Sequence, residues 1–320
     1  MNSPDFNSRY CRLFSPLASL LFRFPPSPLS LPPLPVLPMT NFGWRDDLEE
    51  RQLLAATSQQ PLYKQAITAD APPEIDPRTW HRIEMQGALG SCQGHALSSV
   101  GEMAHWIATG GGNSGGGNDG SGRVTQFSPL FAYYATQQLD GLLGVDQGST
   151  IHGGVRCARE FGFCPLEVFP NPQPLRYTGQ IPDEAWPAAA PFRMRSHTVC
   201  TSYDDVWTFL AAGQGGVSAG LGWNASMTPR AGLIENYRPG GGGHAVAFLG
   251  YSRRVDAEGR HYLWLANSWS EEWGNRGWAE VAPRAVDAMF ADRRTVMVGL
   301  SDLSLPTPRR VPWREDSVFG

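Results

Sequence analysis

Apolar positions recur at helical spacing from Cys92 to about Thr109, at Ala96, Val100, Met103, Ala104 and Ile107, and the run stops at Gly110. Ser128-Pro129 sets a cap and a first-turn proline before a second helix, LFAYYATQQL. A third runs from Gly154 to Phe161 and ends at Gly162, and a fourth from Ser202 to Ala212, with Ser202 and Asp205 as a partial capping box. A short helix is also expected from Asp46 to Ala56. Beyond Gly213 the pattern shortens to strand-like runs: 217–221, 244–251, 261–266, 278–281 and 295–300, separated by Gly, Asn and Arg turns. Helices first and an antiparallel sheet second is the segregated order of an α+β fold.

The chain has 320 residues, 41% of them hydrophobic, enough for a substantial core. Lys and Arg total 26 against 30 Asp and Glu, a net charge of −4, so nothing points to nucleic acid as the partner. No apolar run reaches the length of a transmembrane segment. Residues 1–38 read as a Pro-rich leader, unpacked or foreign to the native chain, before Met39 opens a different composition. Residues 39–72 read as an N-terminal extension, equally compatible with a segment that wraps the main domain and with a loose arm, and whether it blocks a cleft stays open; the main domain runs from 73 to 300, and residues 301–320 read as a tail. The Gly-rich stretch 110–122 lacks the Lys-Ser/Thr of a phosphate loop and reads as a surface excursion.

Five cysteines, Cys11, Cys92, Cys157, Cys164 and Cys200, form no Cys-x-x-Cys pair, and their odd number leaves at least one thiol unpaired. A cysteine at a helix start is more often packing than chemistry, so Cys92 needs company to count. There, unsatisfied N–H groups and the helix dipole favour the thiolate. Gln86, six residues earlier, offers a side-chain amide to a developing oxyanion beside the Cys92 N–H. His244 opens a strand after four glycines and is a candidate base. Asn267 ends the next strand, where it would neighbour and orient His244, with the Trp269 indole shielding the pair. His95 and His105 share a helix with Cys92 but lack a completing carboxylate, so no metal or other cofactor is expected.

Gln86 with Gly90-Ser91-Cys92, then Ser128-Pro129, Gly153-Gly154, His244-Ala245-Val246, Asn267-Ser268-Trp269 and Trp273-Gly274 occur in the order of the papain-like cysteine peptidases, which the sequence resembles across roughly 73–300. The resemblance implies two lobes, a helical one over about 85–190 and a β-barrel-like one over about 191–300, with the active-site cleft between them. It implies Cys92 as nucleophile, His244 as base and then acid, Asn267 as orienter and Gln86 as oxyanion donor. Gly153 and Gly154 would bind the substrate backbone along the cleft, Gly220 and Gly243 would border the specificity pocket, and Trp269 would cover the Asn–His pair. The implied substrate is a peptide or protein. A silent peptide-binding module, or an amidase or acyltransferase on the same scaffold, stays open, as do localisation and oligomeric state. The sequence departs from the family pattern where Leu89 and Ile151 stand in place of two cysteines that pair, so the fold need not depend on that disulfide and a reducing compartment is compatible. The family's long helical propeptide is not recognisable in 39–72.

Overall fold

The computed structural model describes residues 43–58, 71–111 and 124–305. The expected leader, most of the Gly-rich excursion and nearly all of the C-terminal tail lie outside them.

In chain order the described elements begin with a two-residue strand β1 (Trp44–Arg45) and helix α1 (Leu48–Thr57). Helices α2 (Cys92–Ala108) and α3 (Pro129–Leu139) follow. Then come strand β2 (Ser149–Thr150), and helices α4 (Ile151–Glu160) and α5 (Ala185–Ala189). The second half carries β3 (Met194–Cys200), α6 (Tyr203–Ala211), β4 (Val217–Trp223) and β5 (Leu233–Ile234). It closes with β6 (Gly242–Val255), β7 (His261–Ala266), β8 (Trp278–Val281), α7 (Pro283–Ala291) and β9 (Val296–Leu303).

Local chemistry sets the helix starts. Ser128 Oγ accepts from Phe131 N at 3.1 Å ahead of Pro129, and Ser202 Oγ accepts from Asp205 N at 3.1 Å. The Asp205 carboxylate does not close the box; it turns back to Thr201, accepting from its N at 2.8 Å and its hydroxyl at 2.7 Å.

Seven strands form one sheet in the order β3-β9-β4-β6-β7-β8-β5. The barrel-like lobe expected from the sequence is an open sheet: β3 and β5 stand at opposite edges, and the described strands do not close on themselves. Its pairs are antiparallel except β5–β8. Register shifts between β6 and β7 near Phe248 and Gly250 bend the sheet without joining its edges. Helix α2 packs across β6, β9 and β4, so the helical part and the sheet part share one core containing Val100, Met103, Phe248, Leu249 and Leu300. Residues that precede α2 bridge to the sheet part, Ile75 to Tyr251 and Met85 to Trp269. Among the described residues no helix is long and apolar enough to cross a membrane.

No disulfide ties the described residues; Cys92, Cys157, Cys164 and Cys200 are all buried. Leu89 packs in a small cluster with Leu130, Tyr133, Tyr134 and Leu175, while Ile151 belongs to the main core. The two apolar residues that stand in the family's cysteine positions therefore serve different clusters.

Candidate active site

Cys92 is the first residue of α2, and its sulfur reaches the sheet: the Ala245 backbone N–H donates to Cys92 Sγ at 3.4 Å. Ala245 follows His244 on β6. Antiparallel pairing of β6 with β7, Ala247 opposite Ala266, places Asn267 beside His244 as the sequence reading requires. His244 Nε2 lies 2.8 Å from Asn267 Oδ1. The Asn267 oxygen also accepts the Ser268 N–H at 2.8 Å, which fixes the amide with its oxygen toward the imidazole. An amide oxygen only accepts, so Nε2 carries the hydrogen and Nδ1 is the basic nitrogen.

Gln86 is fully buried and held at both ends of its amide. Ser268 Oγ donates to Gln86 Oε1 at 2.6 Å, and Gln86 Nε2 donates to Leu89 O at 2.8 Å. One Nε2 hydrogen goes to Leu89 O, which leaves the second able to donate elsewhere. The turn from Gln86 to Cys92 is pinned by Asp146, whose Oδ1 accepts from Gly90 N at 2.9 Å and from the Tyr133 hydroxyl at 2.7 Å.

His244 sits between two indoles, with ring centroids 4.6 Å from Trp223 and 4.7 Å from Trp269. Trp269 thus flanks the imidazole that bonds Asn267. Gly153 and Gly154 lie in the first turn of α4, where an added Cβ would strike the Asp140 carboxylate and the Gln93 side-chain amide respectively. The backbone of Ser149–Thr150, just before them, meets an extended segment.

That extended segment comes from the chain itself. Trp44–Arg45 pairs in parallel with Ser149–Thr150, and Ser149 N donates to Gly43 O at 2.8 Å. Trp44 is 6% exposed and fills the space above Gly220 and Gly243; a Cβ on either glycine would collide with it. Gly43 passes so close to Gly90 that a side chain there has no room. Helix α1 then anchors the arm. Leu54 is buried, Arg51 pairs with Asp46 at 2.6 Å and bonds the Arg293 carbonyl, and Ser58 Oγ accepts from Val199 N at 2.9 Å. With the arm in place Cys92 and His244 are 0% exposed.

Closure sets the protonation states. Burial pushes the Cys92 thiol up to about 11, against the opposing pull of backbone N–H groups from Ala245, Gly43, Gln93 and Cys92 itself. The thiolate that a helix N-terminus favours is thus outweighed here by loss of water. Burial also drives His244 down to about 4, against the Asn267 hydrogen bond, with His95 adding a further downward push. The closed form therefore holds a neutral thiol beside a neutral imidazole.

Xylellain, a cysteine protease from Xylella fastidiosa, superposes with a TM-score of 0.62 over 83% of this chain and 97% of its own, at 19% identity. The chain has the papain-family cysteine peptidase fold. Other papain-like structures agree. The Amb a 11 cysteine protease of ragweed pollen in its proform gives a TM-score of 0.54 at 16% identity, covering 82% of this chain and 75% of its own. Bromelain from Ananas comosus gives 0.51 at 16% identity, covering 72% and 99%. The family profile described as papain family cysteine protease matches residues 207–296, a span that holds His244 and Asn267 but stops short of Cys92. No curated protein sequence matches the chain.

Two features of this papain-like site were not singled out in the sequence: Ser268 holds the Gln86 amide, and Gly43-Trp44 lies over Gly220 and Gly243. His95, weighed in the sequence only as a metal ligand, is a second buried imidazole one turn along α2 from Cys92. A Gly-Trp pair inside an otherwise polar stretch was the available signal for the arm.

Proposed function

We propose that the chain is a cysteine peptidase that hydrolyses peptide bonds through Cys92, His244 and Asn267, with Gln86 as oxyanion donor, and that residues 43–58 hold it closed. The observation that carries this reading is the sulfur of α2 lying 3.4 Å from the N–H next to His244, while His244 Nε2 lies 2.8 Å from Asn267 Oδ1. When the arm leaves, water returns to the cleft and the two pKa values move back toward each other. His244 Nδ1 then takes the thiol proton, and the sulfur attacks the peptide carbonyl carbon. The carbonyl electron pair moves onto oxygen, held by the Cys92 N–H and the second Gln86 Nε2 hydrogen. Collapse breaks the C–N bond, and His244 returns its proton to the leaving amine. Water, losing a proton to His244, then cleaves the thioester and regenerates the thiol. Asn267 keeps the ring turned so that Nδ1 faces the reaction throughout.

The test uses the full chain and a full-length Trp44→Ala variant, each treated with an epoxide thiol probe and a peptide mixture. Trp44→Ala should label at Cys92 and release fragments, and Cys92→Ala in that background should do neither. Labelling without cleavage would move the assignment to an amidase or acyltransferase; no labelling would leave a peptide-binding module.

A further inference from the structure

Between α2 and the ends of β6 and β7 lies a small cavity of about 10 Å³. Its walls include His81, Glu84, His95, Ala245, Asn267 and Ser268. His95 is 2% exposed. Its Nδ1 lies 3.0 Å from the Ser91 carbonyl, which only accepts, so Nδ1 carries the hydrogen and Nε2 presents a lone pair. That Nε2 is buried with no protein partner. Asn267 presents the complementary group: its oxygen is taken up by His244 and Ser268, while its Nδ2, with two hydrogens, is buried with no protein partner.

One buried acceptor and one buried donor thus line the same polar cavity, whose volume suits a single water. Left unmade, each would bear the desolvation penalty of an unsatisfied buried polar group. Glu84 completes the wall; burial and the neighbouring Glu102 push its carboxyl well above the usual range. Glu102 itself is engaged, by His81 Nδ1 at 2.7 Å and by Phe127 N at 3.1 Å.

We infer that His95 is a positioning residue: through one water seated in this cavity its Nε2 accepts from Asn267 Nδ2, and so clamps the amide whose oxygen orients His244. The Ser268 N–H fixes the oxygen end of Asn267, and the His95–water pair fixes the nitrogen end. This inference rests on the peptidase reading for its meaning, but its test does not depend on turnover.

A high-resolution crystal structure of the unsubstituted full chain should show a water within hydrogen-bond distance of both His95 Nε2 and Asn267 Nδ2; a dry cavity overturns the proposal. The second measurement is the rate of Cys92 alkylation by iodoacetamide at neutral pH, in full-length Trp44→Ala protein. His95→Phe keeps the ring volume and removes the acceptor. It should slow alkylation about tenfold, equivalent to about 1.4 kcal/mol. His95→Gln, which can place an amide oxygen near the Nε2 position, should recover most of that loss. In an Asn267→Ala background His95→Phe should have no further effect. Equal slowing in both backgrounds, or none in either, overturns the positioning role. Peptide cleavage is followed in parallel: its failure with an intact His95–Asn267 coupling sinks the peptidase reading and leaves this one standing.

Discussion

The arm, residues 43–58, and the body it covers are built to different standards. The body has a seven-stranded sheet crossed by α2, with side chains such as Phe248, Leu249 and Val100 fully buried. The arm holds on by a two-residue parallel pair, one indole, one buried leucine and a handful of hydrogen bonds with exposed or half-buried partners. Segments with few buried apolar contacts open at lower free energy than the core. The Cys92 sulfur is therefore covered by a lightly held element, while Cys92, His244 and Asn267 themselves belong to the heavily packed one.

The sharpest way to break that contrast is to damage each side in turn. Phe248→Ala should cost about 3–5 kcal/mol of global stability, read as a fall in denaturant midpoint. If the midpoint holds, the body is not the unit described. Gln86→Ala, in the Trp44→Ala background, should lower turnover about 10²–10³-fold without altering arm opening, because Gln86 contacts Leu89 and Ser268 rather than the arm. Trp44→Ala should raise Cys92 labelling about a hundredfold, from losing about 3 kcal/mol of local burial, yet leave the midpoint nearly unchanged. A matching drop in midpoint would make arm and body one cooperative unit.

The fourth prediction concerns pH. In the closed form His244 is held at about 4 against an ordinary 6.5, so the open form binds more protons between those values. Closure is then fully stable above about 6.5 and weakens as pH falls toward 4, by up to about tenfold in the open-to-closed ratio per pH unit. The thiol gives the mirror image: closure weakens as pH rises from 9.0 toward about 11. Hydrogen exchange at residues 43–45, corrected for intrinsic rates, should show protection greatest between those two windows. Last, Arg45→Ala removes an exposed hydrogen bond to Gln147 and should change labelling by no more than about twofold; a larger effect would mean that β1 is held by side chains rather than by Trp44 and the backbone.

Much of the body could be read from periodicity. The α2 pattern from Cys92 and the strand runs around His244 and Asn267 place those residues where the structure has them, because amphipathic spacing and antiparallel neighbours leave few alternatives. Other elements hid for physical reasons. β3 buries three consecutive polar residues, Ser196, His197 and Thr198, so it lacks the apolar alternation that marks a strand. α7 starts at Ala282-Pro283 with no side-chain cap to announce it. The contacts of Gly153 and Gly154 with Asp140 and Gln93 join α4 to the end of α3 and to α2, which periodicity alone does not report. The protonation of Cys92 was misjudged from local structure alone, since a helix start says nothing about what lies above it. That cover is a long-range pairing, Trp44 with Ser149, across a separation no local pattern reports.

The absence of disulfides among the described residues has a practical corollary. Cys157, Cys164 and Cys200 sit inside the body, and Cys92 alone waits beneath the arm. Among the described cysteines a brief pulse of alkylating reagent, read peptide by peptide, therefore writes two different signatures: an adduct on Cys92 alone when only the lid has lifted, and adducts on Cys157, Cys164 and Cys200 as well when the fold has come apart. The molecule carries its own gauge for telling awakening from denaturation.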